Sequence, residues 1–155
     1  MRISERVDNA IRAMGEIAAA GDDAVVKADH IAQRQDISVK YLLDILGELK
    51  RARLLRSRRG PDGGFALARD ATEITLADIF RAVDGPLADV HDESLRQLSY
   101  RAPNESLVEV WMAVRASLRR VLESVTLADL VSGVLPDPVG ELTTEYLRQT
   151  AERHG

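Results

Sequence analysis

Apolar residues at Ile3, Val7, Ala10, Ile11, Met14, Ile17 and Ala18 recur every three or four positions. That spacing predicts an amphipathic helix over 3–20, which Gly21-Asp22-Asp23 ends. A second, short helix is predicted over about 27–35, with Ala28, Ile31 and Ala32 inward. Gln35-Asp36-Ile37 reads as a tight connection, and Asp36 suits its left-handed corner better than most residues would. Ser38 then has the chemistry of an N-cap. The helix 38–52 that follows carries Leu42, Ile45, Leu46 and Leu49 at i, i+3, i+4 and i+7. Two short helices joined by a tight turn, the second basic at its end, outline a helix-turn-helix.

The period then changes. Residues 54–58 and 64–68 suit short strands, and Arg59-Gly60-Pro61-Asp62-Gly63 between them is turn chemistry. The pair predicts a hairpin with a basic tip, a wing. Thr75 caps a helix to about Val83, which Gly85-Pro86 stops. Residues 86–104 have no period and read as a loop. A long helix over 106–124 carries Leu107, Trp111, Val114, Leu118, Val121 and Val125, alternately four and three apart. This heptad seam is the pattern of helices pairing lengthwise, and Trp111 is its expected anchor. The competing reading makes the seam plain monomer core. Thr126 caps a short helix over 127–131, Pro136 and Pro138 break the chain, and 141–152 reads as a polar, weakly helical tail. No internal repeat is evident.

The predicted fold class is mainly α: a winged helix-turn-helix with a small two-stranded wing, plus a long C-terminal dimerisation helix. The expected division is a DNA-binding domain over 1–85, a loop over 86–104, dimerisation helices over 105–133 and a tail over 134–155.

Charge sharpens this picture. The 155 residues carry a net −4, which looks wrong for a ligand of a polyanion. The imbalance is local, however. Residues 1–69 hold 13 Lys and Arg against 10 Asp and Glu, whereas 70–155 hold 8 against 15. Six cations and no acid stand within 50–59 (Lys50, Arg51, Arg53, Arg56, Arg58 and Arg59). Local fields govern such binding more than total charge does. The absence of cysteine excludes disulfides, thiolate nucleophiles and cysteine-ligated metal centres. No apolar run approaches the roughly 20 residues of a membrane span, and the first residues lack a signal peptide's apolar stretch. A cytoplasmic protein with no membrane partner is expected.

Candidate contacts follow from these positions. Ser38, Lys40 and Tyr41, in the first turn of helix 38–52, would face a major groove; read blandly they are a cap, a surface lysine and a half-buried tyrosine. Leu43 points away from the apolar face and could touch a thymine methyl. Arg51, Arg53 and Arg56 would meet phosphates. Arg58 and Arg59, at the hairpin tip, could enter a narrow minor groove; otherwise they are a solvated turn. Catalysis finds no support. His30, His91 and His154 are scattered, His91-Asp92-Glu93 is an isolated polar cluster, and no phosphate-binding glycine motif precedes a helix. An enzyme is not expected.

Several of these segments occur in order in one known family. They are the MRIS-x-R-V-D-x-A-I-R-A-M start, Ile31-Ala32, Ile37-Ser38-x-x-Tyr41-Leu42-x-x-Ile45-Leu46-x-x-Leu49, Arg59-Gly60-Pro61-x-Gly63-Gly64-Phe65-x-Leu67-Ala68, and Ile74-Thr75-Leu76-Ala77-Asp78-Ile79 with Val83-x-Gly85-Pro86. Over about residues 1–131 the chain resembles the Rrf-two family, bacterial winged-helix regulators of the IscR, NsrR and CymR type. The resemblance implies a homodimer in which the long helix crosses its partner's copy. It implies a recognition helix in the major groove, through Ser38, Lys40 and Tyr41, and a wing in the minor groove, through Arg59, with Arg58 an added charge. Many members hold an iron–sulfur cluster on three cysteines before the long helix. Here 88–106 contains none, and Asp8, which matches a position where some members offer a carboxylate, cannot hold a cluster alone. The chain therefore resembles the cysteine-free branch, expected to carry no cofactor and to answer to a small molecule, a partner protein or no signal.

The expected function is a sequence-specific repressor binding double-stranded DNA at a pseudo-palindromic operator. The rival is an adaptor of the same fold whose main task is binding a protein such as a metabolic enzyme. The basic run at 50–59 argues for DNA, since protein recognition alone has no need of it.

Overall fold

The computed structural model describes residues 2–87 and 95–153. Helix α1 (Glu5–Ala19) is the central bar. Ser4 caps it, its hydroxyl accepting from the Val7 amide at 3.1 Å, and Val7, Ala10, Ala13, Met14 and Ile17 are wholly buried along one face. Around that face pack α2 (Ala28–Gln35), α3 (Val39–Arg51), α4 (Leu76–Asp84) and α6 (Leu127–Ser132). Asp36 takes the left-handed corner between α2 and α3 at φ 53°, as its residue type suggests. Leu42, Ile45, Leu46 and Leu49 on α3 are fully buried. At about 1.5–3 kcal/mol for each such side chain, this one face fixes how the helix-turn-helix sits on the core.

The wing is a two-stranded antiparallel sheet. Strand β1 (Leu55–Arg58) pairs with β2 (Gly64–Leu67) in the register Leu55 opposite Leu67 and Arg58 opposite Gly64. Val26, just before α2, adds a bridge to the hairpin by exchanging two 2.8 Å backbone hydrogen bonds with Phe65. The hairpin is thus tied to the helix-turn-helix on both sides.

The structure exposes a short repeat that the periodicity reading missed. Ile74-Thr75-Leu76-Ala77-Asp78-Ile79 and Val125-Thr126-Leu127-Ala128-Asp129-Leu130 share one pattern. Each threonine opens a helix with a reciprocal capping box to the aspartate three residues on. The two segments run side by side, the Leu76 amide bonding the Val125 carbonyl and the Leu127 amide the Ile74 carbonyl, both at 2.9 Å. Val125 therefore leaves the predicted seam. It lies beyond the end of α5 (Leu107–Leu122) and is buried in its own chain's core at 3% exposure, as Ile74 is in the first copy. The heptad count ran past the cap that ends it.

Helix α5 itself buries none of its 16 residues. Trp111 is half-buried within its own chain and donates its indole N–H to the Tyr100 hydroxyl at 3.2 Å. The tail is more ordered than expected: Val139–Arg153 form α7, again with no buried residue. Leu87 and Leu95 lie within the expected loop and are buried. His91, Asp92, Glu93 and His154 lie outside the described residues.

Candidate nucleic-acid interface

Helix α3 presents to solvent a strip opposite its buried face. Lys40, Leu43, Asp44, Gly47 and Arg51 recur along it at spacings of three and four. Lys40, Leu43, Asp44 and Arg51 are exposed. The Arg51 guanidinium folds back along the helix, 3.6 Å from where a Cβ on Gly47 would lie. Ser38 caps the helix by accepting from the Tyr41 amide at 3.3 Å. Its own O–H stays free to donate to a phosphate oxygen at the positive end of the helix dipole. Asp44 was missed by attention to cations, yet its position four residues after Lys40 places it on the same strip. A carboxylate there can accept from the amino group of a cytosine.

Tyr41 does not join this strip. It packs against the core on the side facing α1, with the Arg6 guanidinium 5.7 Å from its ring centroid. Arg6 also bonds Glu48 on α3 at 2.8 and 3.2 Å. That hydrogen bond raises the Arg6 pKa above its ordinary value, against the desolvation that would lower it. The bland reading of Tyr41 fits better than the groove-facing one.

The α2–α3 corner is held from α1 as well. Arg12 donates to the Gln35 side chain and carbonyl. Glu16 accepts from Arg34 at 3.0 Å and from Gln35. Partial burial alone would raise the Glu16 pKa, but the bonds from Gln35 and Arg34 outweigh it and the net shift is downward.

Between the start of α3 and the wing lies an open hollow of about 440 Å³. Its walls are Lys27 and Asp29 at the start of α2, Val39 and Leu43 on α3, and Arg58 with Pro61 on the wing. Arg58 and Arg59 are exposed. The wing therefore stands beside the recognition strip, with cations on both edges of a concave surface. Arg53 is exposed at the α3–β1 corner, in the left-handed region at φ 60°. Arg56 is engaged elsewhere: it bonds the Leu67 carbonyl at 3.2 Å and pairs with Asp23 at 2.6 Å, at the base of the hairpin. Its charge is locally compensated, unlike the tip arginines.

The wing glycines serve the backbone first. Gly60 turns the tip at φ 101°. A Cβ on Gly64 would stand 2.4 Å from the Val26 carbonyl oxygen, and one on Gly63 would stand 2.2 Å from that of Arg58. Both obstacles are main chain and cannot rotate aside. Gly64→Ala should therefore break the Val26–Phe65 bridge and destabilise the protein by about 1–3 kcal/mol, the usual range for overpacking. A chemical denaturation curve measures this, and a midpoint equal to wild type would mean that the bridge is dispensable.

The polar groups of this surface can bond phosphates and base edges. The sequence contains no cysteine, and among the described residues no three His, Asp or Glu side chains converge as a metal site. The donor set does not fit a cysteine-ligated cluster. Among the described residues no helix is long and apolar enough to cross a membrane.

Comparison with known proteins agrees with the geometry. The family described as Rrf2, iron-dependent transcriptional regulator, matches residues 3–133. The Mycobacterium tuberculosis protein Rv1287, which bears the name of an HTH-type transcriptional regulator, is 48% identical over 155 residues, covering 100% of this chain and 96% of its own. The HTH-type transcriptional regulator CymR of Bacillus subtilis is 31% identical over 132 residues, covering 85% of this chain and 91% of that one. The solved structure of B. subtilis CymR, titled the global cysteine regulator, superimposes with a TM-score of 0.73 over 86% of this chain and 98% of that chain, at 31% identity. IscR of T. potens gives 0.68 over 86% and 88%, at 29% identity. The two-stranded hairpin beside the helix-turn-helix is the wing of these folds, and the relatives are regulators, not enzymes. This chain belongs to the Rrf2 family of winged helix-turn-helix transcriptional regulators.

Proposed function

We propose that the protein is a repressor that binds a pseudo-palindromic operator as a homodimer in a bacterial cytoplasm. The observation that carries this reading is an apolar groove of about 680 Å³ along α5. Its floor is Val114, Leu118 and Val121 of α5 with Val7 and Ile11 of α1, and Phe80 of α4 closes one side. A groove with so little polar lining is a poor surface to leave in water. A second copy related by a two-fold axis would fill it with the same side chains. Of the predicted seam, Val114, Leu118 and Val121 line the groove, while Leu107 and Trp111 flank it on the same helix.

A two-fold dimer carries two recognition strips and two wings. Half-site centres would then lie a multiple of about 10–10.5 bp apart. In this reading Ser38, Lys40 and Arg51 meet the major groove and its phosphates, Arg53 adds a phosphate contact, and Arg58 and Arg59 reach the neighbouring minor groove. Occupying a promoter suffices to exclude polymerase, which is why we read the regulator as a repressor. Its signal would be a small molecule or a partner protein, since thiol chemistry is absent from the chain.

The test is to sequence the genomic fragments that the purified protein retains, then footprint the best one. Paired protections with two-fold related sequence would support the reading, and a single unpaired footprint would sink it. Metal removal is a separate check. Chelator or mild oxidant should leave the affinity for that fragment within about twofold of the untreated value, because no thiolate is present to ligate or oxidise. A loss of binding reversed by iron would show that other donors hold a metal.

A further inference from the structure

Helix α7 lies outside the 3–133 span that the family covers. It is 15 residues long and buries no side chain. A helix of that length is marginal in water unless an amphipathic face is packed. Its polar side carries Glu141, Glu145, Arg148 and Glu152, whereas Leu142 and Tyr146 stand on the other side at 43% and 65% exposure.

That apolar side does not face open water alone. Val139, Leu142 and Tyr146 look across a hollow of about 240 Å³ at Val121 of α5. Glu141 reaches Arg120 of α5 at 3.6 Å, an ion pair that ties the two helices together at one end of the hollow. Val121 and Leu142 also line the larger groove along α5. The two hollows are therefore one continuous apolar strip, floored by α5 and walled by α7.

We propose that α7 is a second dimerisation element, seated against the second copy of this chain. The proposal rests on the α5 dimer described above and extends it: each α7 closes over the partner's strip. Two observations choose a second copy over another partner. The strip is continuous with the groove that the copy would fill. The charges are also complementary: α5 carries Arg119 and Arg120, which pair with Glu123 and Glu141 within the chain, and α7 adds Glu145 and Glu152.

Sedimentation across a concentration series, on the full chain, tests this with Leu142→Asp/Tyr146→Asp beside Leu118→Asp. The double variant should weaken the dimer by about 10- to 100-fold, the range expected for losing two contacts at an interface. An unchanged dimer in that variant, with Leu118→Asp dissociated, would overturn the α7 role and keep the α5 dimer. Unchanged dimers in both would overturn the α5 reading itself, and a wild type that is monomeric throughout would overturn both. Hydrogen exchange on the wild-type protein guards against a misfolded variant. Amides of 139–153 should be protected at concentrations where the dimer forms and exchange freely on dilution to monomer. Equal exchange at both concentrations would count against the proposal.

Discussion

Replacing Arg59 by alanine should cost about 1–3 kcal/mol on the operator and distinctly less on random duplex, a loss typical of one specific contact. The expectation comes from where the side chain stands. Arg59 is exposed at the tip of the wing, next to the left-handed Gly60. No ion pair with an acid competes for its guanidinium among the described residues. Narrow A·T-rich minor grooves concentrate negative potential, and a lone guanidinium is well suited to enter them. Arg51→Ala is the control: a phosphate contact should weaken both duplexes about equally and flatten the salt slope by about one unit. Arg56→Ala should do less than either, because Asp23 already neutralises that charge. Titrations on operator and random duplex at two salt concentrations separate the cases. Equal weakening on both duplexes would reduce Arg59 to a phosphate contact, and no weakening would favour the adaptor reading.

The other large effect is expected at Leu118. An aspartate there would place a carboxylate among Val114, Val121 and Ile11 with no cation lining the groove beside it except Arg2 at its mouth. Burying an unpaired charge is costly enough that the assembly will give way first. The half-exposed position of Leu118 in the single chain means that the fold itself should survive. Leu118→Asp should therefore sediment as a folded monomer, and its operator affinity should fall by at least about a hundredfold as the two half-sites lose their linkage. A dimer at micromolar concentration would show that the groove is covered by something other than a second copy.

Much of this was legible in the chain because its signals are local. The buried face of α3, the left-handed Asp36 and the Gly-Pro turn of the wing each depend on a few neighbouring residues, and each stands where the pattern put it. The errors came from partners remote in sequence. Tyr41 looks like a groove contact until Arg6 of α1 is seen against its ring. Arg56 looks like its basic neighbours until Asp23, 33 positions away, is seen to hold it. Val125 extends a heptad on paper, but α5 has already ended at Leu122, and Thr126 after Val125 opens the next helix. Helix α7 read as a weak tail because its apolar face is thin and its own chain does not bury it.

The ties from α1 bear on how such a regulator changes its target over time. Arg6 fixes Glu48 in the last turn of α3, while Arg12 and Glu16 fix the α2–α3 corner. None of these groups lies on the strip that faces outward. Residues 40, 43, 44, 47 and 51 can therefore be exchanged without disturbing how the helix is mounted, and even the glycine at 47 has room, a new Cβ meeting only the flexible end of Arg51 at ordinary contact distance. A lineage can rewrite its operator letter by letter on such a helix, and the scaffold need not be reinvented each time.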